Sequence, residues 1–141
     1  MKRIVVDTNV LVSATLSAGG AARQVLRLCL LEQAQPIIGN ALFSEYEDVV
    51  SRDALFERAR VTADERHVIL DAFVSKCRWI HISWLWRPNL RDEADNHLIE
   101  LAVAGDAAYI VTANLKDFRG SEMRFDSIRV ISPAEYLSEE H

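Results

Sequence analysis

No apolar run in this sequence approaches the ~20 residues that a membrane-spanning helix requires. Cysteine is scarce: Cys29 and Cys77 lie far apart and without metal-ligand spacing, which suits core or surface thiols in a reducing compartment. The first residues pass from two basic side chains directly into a strand-like run, without the apolar stretch and small-residue cleavage site of a signal peptide, so a cytoplasmic location without membrane attachment is expected. There is no internal repeat, low-complexity tract or linker. With 141 residues, half of them apolar, the chain is expected to form one globular domain over residues 1–141, with a frayed polar tail at 138–141. The formal net charge of -5 argues against broad electrostatic adhesion to nucleic acid and leaves room for a local basic face. Thirteen of the sixteen cations are arginine, the cation better suited to bidentate phosphate recognition.

What is present is an alternation of strands and helices. Ile4–Val6 is β-branched and uninterrupted, as expected of a strand buried on both faces of a parallel sheet. Val10 to Thr15 is short and apolar, and Ser17 to Gly20 reads as a loop. A helix is expected from Ala21, a strand over Gln35–Ile38 and a helix over Ala41–Ser51. Asp53–Arg60 reads as a short helix, and Thr62–Lys76 as a longer one opened by a capping box of Thr62 and Glu65. Arg52, Arg58, Arg60 and Arg66 read as a solvated charged face. Arg78–Trp84 reads as a third strand, with His81 structural, and Trp84 and Trp86 suit a protein interface if exposed. A helix capped by Asp92 ends at Gly105, strands follow at Ala107–Thr112 and Ser127–Ile131, and Ser132-Pro133 opens a last helix.

The chemistry is carried by acids placed where this pattern ends its strands. Asp7 follows the first strand and so reaches the carboxyl edge, where open α/β sheets bind ligands. Thr8 or Asn9 as N-cap with Asp7 as dipole partner explains the position locally. The alternative is an oxygen ligand for a hard divalent cation, which one acid alone cannot hold. Glu45 falls on the border of the apolar face set by Leu42, Tyr46, Val49 and Val50, so it needs a salt bridge to an arginine or a metal. Asp95 lies one turn before Leu98 and Ile99, and Thr112, Asn114 and Asp117 follow the Tyr109–Val111 strand body. In a parallel sheet covered on both sides, Asp7, Asp95 and Asp117 converge on one edge and Glu45 approaches from its helix. Four crowded carboxylates repel one another, and a divalent cation removes that penalty.

Val-Asp-Thr-Asn-Val at 6–10, Ser-Glu-Tyr-Glu-Asp-Val-Val at 44–50, Asp-Glu-Ala-Asp-Asn-His-Leu at 92–98 and Ala-Ala-Tyr-Ile-Val-Thr-Ala-Asn-Leu-Lys-Asp-Phe at 107–118 together resemble the PIN-domain ribonucleases. The resemblance is closest to the PIN-family toxins of bacterial and archaeal toxin–antitoxin pairs. It implies an α/β/α sandwich around a mainly parallel sheet and metal-dependent hydrolysis of RNA with Mg²⁺ or Mn²⁺. Asp7, Glu45, Asp95 and Asp117 match the family's acidic metal-site positions, where they would be both the metal ligands and the catalytic residues. Asn9, Asp92, Thr112 and Asn114 would support the site or substrate. A cognate antitoxin and a homodimer are the implied partners, alongside RNA. Two positions depart from the pattern: Asn114 stands where many relatives carry a further Asp, and Glu93 where they commonly carry Pro. Arg23, Arg27, Arg91 and Arg119 are the candidates for gripping phosphate.

Two other acid-edge enzymes fit worse. A haloacid-dehalogenase-like phosphatase needs a second Asp where this chain has Asn9, and a response-regulator receiver needs an Asp after a central strand where this chain has Ile38-Gly39 or Ser83-Trp84. The remaining alternative is a PIN fold that binds RNA or a protein without cutting, an option that Asn114 keeps open.

Overall fold

A computed structural model describes residues 1–82, 93–118 and 127–140, the side chains of 93–96, 117 and 140 excepted. Its centre is β1 (Arg3–Val6), whose Ile4 and Val5 are completely buried. β-Branched residues covered on both faces leave no polar side of the strand, and β1 accordingly has a parallel neighbour on each edge. The sheet is five-stranded, all parallel, in the order β3-β2-β1-β4-β5, with β2 at Gln35–Ile38, β3 at Arg78–Trp79, β4 at Tyr109–Val111 and β5 at Arg129–Ile131.

Chain order explains the layers. From β1 the sheet grows in one direction through α1 (Thr8–Leu16), α2 (Ala21–Leu30) and β2, then α3 (Asn40–Val50), α4 (Ala63–Lys76) and β3. It then returns past β2 and β1 through α5 (Glu93–Ala104) to β4 and on to β5 and α6 (Pro133–Glu140). Right-handed crossovers put helices reached in opposite directions on opposite faces, giving an α/β/α sandwich with its switch between β1 and β4. α5 packs on β1 and β4, and α4 on β2. α6 ends at Glu140. No helix among the described residues is long and apolar enough to cross a membrane.

Several local expectations are met. The Thr62–Glu65 capping box forms in both directions, and Ser132 caps α6 with Glu135 answering it. Cys29 is buried, and that burial pushes its thiol up to about 12; Cys77 is partly buried, and both are free. Others are corrected. The Asp53–Arg60 helix is only a 3-10 turn over Asp53–Phe56. Strand pairing at β3 ends at Trp79, with one further bond from the Ile80 amide to the Ile38 carbonyl, and residues 83–90 lie outside the described residues.

Arg66 is not solvated but 4% exposed, its guanidinium 4.4 Å from the centre of the Phe56 ring. It donates to the Val50 and Val61 carbonyls and to Asp53, which closes the turn between α3 and α4. The end of α5 also differs. The left-handed residue is Asp106, with φ 55°, while Gly105 is required by packing: a Cβ there would lie 2.5 Å from Ile37 Cδ1 and 3.0 Å from Ile80 Cγ1. Gly105→Ala is therefore expected to destabilise the protein by about 1–3 kcal/mol through overpacking, read as a lower urea midpoint.

Candidate functional site

β1 and β4 run in register, Val6 opposite Val111, so the residues that follow them emerge side by side. These are Asp7 and Thr112, both buried. The chain turns directly from Asp7 into α1, and it is Asp7, not Thr8 or Asn9, that serves as N-cap, accepting from the Thr8 amide at 2.7 Å through Oδ1. Thr112 Oγ1 donates to Asp7 Oδ2 at 2.7 Å, and Asn9 Nδ2 donates to the same oxygen at 3.2 Å. Asn9 Oδ1 in turn accepts from the Ala113 amide, and Thr112 Oγ1 from the Asn114 amide. The network ties the start of α1 to the exit from β4. Asp7 Oδ2 thus accepts two bonds, and Oδ1 accepts two from Thr8, a short one from its amide and a longer one of 3.4 Å from its hydroxyl.

Burial raises the pKa of Asp7 above the ordinary carboxylate value; the bonds from Thr112 and Thr8 oppose the shift, and the charge of Glu45 adds to it. Glu45 is thus close enough to repel Asp7. It stands on the border of α3 as its spacing requires, between buried Leu42 and Tyr46 on one side and exposed Glu47 and Asp48 on the other. Its partner is not an arginine. His97 Nε2, on α5, pairs with Glu45 Oε2. His97 Nδ1 is buried with no hydrogen-bond partner among the described residues. His97 was missed in the sequence, although the histidine two residues after Asp95 was a partner of the right kind for a carboxylate on a helix border.

The remaining expected residues divide as follows. Asp95 lies on α5, and Asp117 lies in the 3-10 turn Leu115–Phe118 that follows β4, so both segments issue at the expected points of the chain; their side chains lie outside the described residues. Asp92, Arg91 and Arg119 lie outside them altogether. Asn114 has an exposed side chain, and its contribution to the network is its amide. Arg23 is occupied elsewhere, donating to the Ala14 and Thr15 carbonyls at the end of α1, and Arg27 is exposed on α2. Among the described residues no group of three acids, histidines or cysteines is gathered for a metal.

Asp7, buried at the sheet's switch point, and Glu45, whose charge raises the pKa of Asp7, are the described carboxylates that could contribute oxygen donors to a hard divalent cation. Comparison with known proteins bears on the same region. No curated protein matches the sequence. In structure the chain is similar to one in the crystal structure of VapBC2 from Rickettsia felis bound to a DNA fragment from their promoter. That likeness has 18% identity and a TM-score of 0.58, and covers 92% of this chain and 98% of the other. Residues 3–116, from the first residue of β1 into the turn after β4, match the family described as PIN domain, and with four-fifths of its length inside that match the chain belongs to the PIN-domain family.

Proposed function

We propose that this protein is a metal-dependent endoribonuclease and the toxin of a toxin–antitoxin pair. The observation that carries the reading is the buried Asp7 carboxylate, fixed by Thr112 and Asn9 at the junction of β1 and β4 and repelled by Glu45. A carboxylate kept there at a cost in desolvation is better explained by a cation than by capping, which an exposed Asp, Ser or Thr does as well.

In this reading Asp7 and Glu45, with Asp95 and Asp117, hold Mg²⁺ or Mn²⁺, which when bound would activate a water and offset charge on the scissile phosphate. The protein's own part is orientation. Thr112 and Asn9 hold Oδ2 of Asp7, Thr8 holds Oδ1, and His97 holds the carboxylate of Glu45. Without the cation the acidic edge repels RNA, so cleavage should depend strictly on metal. The toxin assignment, with an antitoxin partner, draws on the VapBC2 likeness and the sequence motifs together, and the homodimer on the family resemblance of those motifs.

Cleavage of a mixed pool of tRNA, rRNA and mRNA by the purified protein in Mg²⁺ or Mn²⁺, set against EDTA and against Asp7→Asn and Asp95→Asn, tests the activity. Loss in all three controls is expected. Uncut RNA in every lane, from folded protein free of antitoxin, would favour the non-cutting PIN fold, for which the uncharged Asn114 is the supporting feature. Co-purification with the product of an adjacent gene tests the partner.

A further inference from the structure

A cavity of about 440 Å³ opens between the start of α3, the end of β3 and α5, with His97, the partner of Glu45, in its wall. Its volume falls within the range of about 300–1,000 Å³ usual for small-ligand sites. Resting on the nuclease reading above, we propose that it is a subsite for one unpaired RNA base next to the scissile phosphate, selective for guanine or uracil.

The described lining suits a flat base. Leu42, Ile80 and Leu101 supply apolar surface, and among the described residues the lining's titratable side chains are His81, His97 and Glu100, with no lysine or arginine. Trp79 is half exposed at the rim and is braced by Phe43, their ring centres 5.5 Å apart, so one indole face is held available for stacking. Polar groups then read the ring's edge. α3 opens at Gly39, which provides no side-chain cap, leaving the first-turn amides beginning at Asn40 as donors for a base carbonyl. Glu100 is an acceptor for a ring N–H. A carbonyl next to a ring N–H is found in guanine and uracil and is absent from adenine and cytosine.

Continuity with the acidic crevice comes from His97, which lines the cavity and also holds Glu45. Glu100 follows it by three positions on α5, the spacing that places two side chains on one helix face. A strand with its phosphate over Asp7 and Glu45 therefore has a base site at the next group along.

The test is an amide and indole NMR titration of metal-free protein with the four nucleoside 5′-monophosphates and with ribose 5-phosphate, the Trp79 indole being assigned from Trp79→Leu. The guanosine and uridine nucleotides should shift the Trp79 indole and the Asn40 amide, and the other three compounds should not. Trp79→Leu keeps apolar cover over Phe43 but removes the stacking plane. It should abolish the indole-dependent binding and lower kcat/KM on RNA about 10-fold, chiefly through KM. Shifts by ribose 5-phosphate, equal shifts by all four nucleotides, or no shift at all overturn the subsite. RNA cleavage by the unmodified protein in Mg²⁺ is scored separately. A protein that cuts without base-dependent shifts refutes the subsite alone, and one that shows the shifts without cutting refutes the nuclease reading alone.

Discussion

Asp7→Asn is expected to lower Mg²⁺-dependent RNA cleavage by on the order of 10³-fold or more and, in the same preparation without metal, to raise the melting temperature. The first effect follows from the role proposed for Asp7. A metal centre supplies several kcal/mol of charge stabilisation in the transition state, and each ~1.4 kcal/mol lost is tenfold in rate. The second follows from burial, which favours the neutral carboxyl. Asp7 is 7% exposed, and its pKa is raised by that burial and by Glu45 despite the bonds from Thr112 and Thr8. The neutral side chain is therefore the one that the metal-free fold prefers. Asn keeps an oxygen for the Thr8 amide but sets its NH₂ against that of Asn9, which returns part of the gain.

The pH dependence has a definite sign. In the unfolded chain Asp7 titrates near the ordinary value of about 3.9; in the fold it titrates higher. Between those two points the folded state binds more protons, so stability falls as pH rises, and the penalty is complete above the folded value. Asp7→Asn has no such penalty, so its advantage in EDTA should open across that window and stay constant beyond it. Mg²⁺ should reverse the order by stabilising only the unmodified protein. Thermal unfolding by circular dichroism, with and without Mg²⁺, reads all of this. A variant that melts below the unmodified protein in EDTA at neutral pH would mean that the carboxylate is there for the fold.

How far the site was legible in the sequence depends on the range of the interaction. Asp7 could be placed because it ends a β-branched run, and Ile4–Val6 admits no other reading. Glu45 could be placed on a helix border by spacing within α3. Its partner could not, because His97 is 52 positions away and reaches it only through the return of α5 across the sheet. Arg66 was misread for the same reason: charge runs look solvated until the fold brings the Val50 and Val61 carbonyls around one guanidinium. Gly105 was identified as a necessary glycine for the wrong cause. Helix ends favour a left-handed glycine, but Asp106 takes that conformation here, and the need for glycine comes from Ile37 and Ile80, which the sheet places against it.

Tyr46 carries the largest expected effect on folding. It is completely buried on α3, edge-on to Phe73 with ring centres 5.7 Å apart, and its hydroxyl donates to the carbonyl of Val6. Burial holds that hydroxyl's pKa well above its ordinary value, so it stays a donor at any pH at which the protein works. Tyr46→Ala removes a large side chain from a close-packed core and should cost about 3–5 kcal/mol, a large share of the ~5–15 kcal/mol of a typical domain. Tyr46→Phe keeps the ring and removes only the donor, leaving the Val6 carbonyl buried without it; about 1–3 kcal/mol is expected. Urea denaturation separates the two. The consequence for the site is positional. Val6 precedes Asp7, and Tyr46 follows Glu45, so this one hydrogen bond ties the backbone behind one acid to the helix carrying the other. Tyr46→Phe should therefore weaken cleavage less than Glu45→Gln does, because the acids remain and only their spacing relaxes. If Tyr46→Phe matched Tyr46→Ala in stability, the hydrogen bond rather than the ring would be what joins α3 to β1.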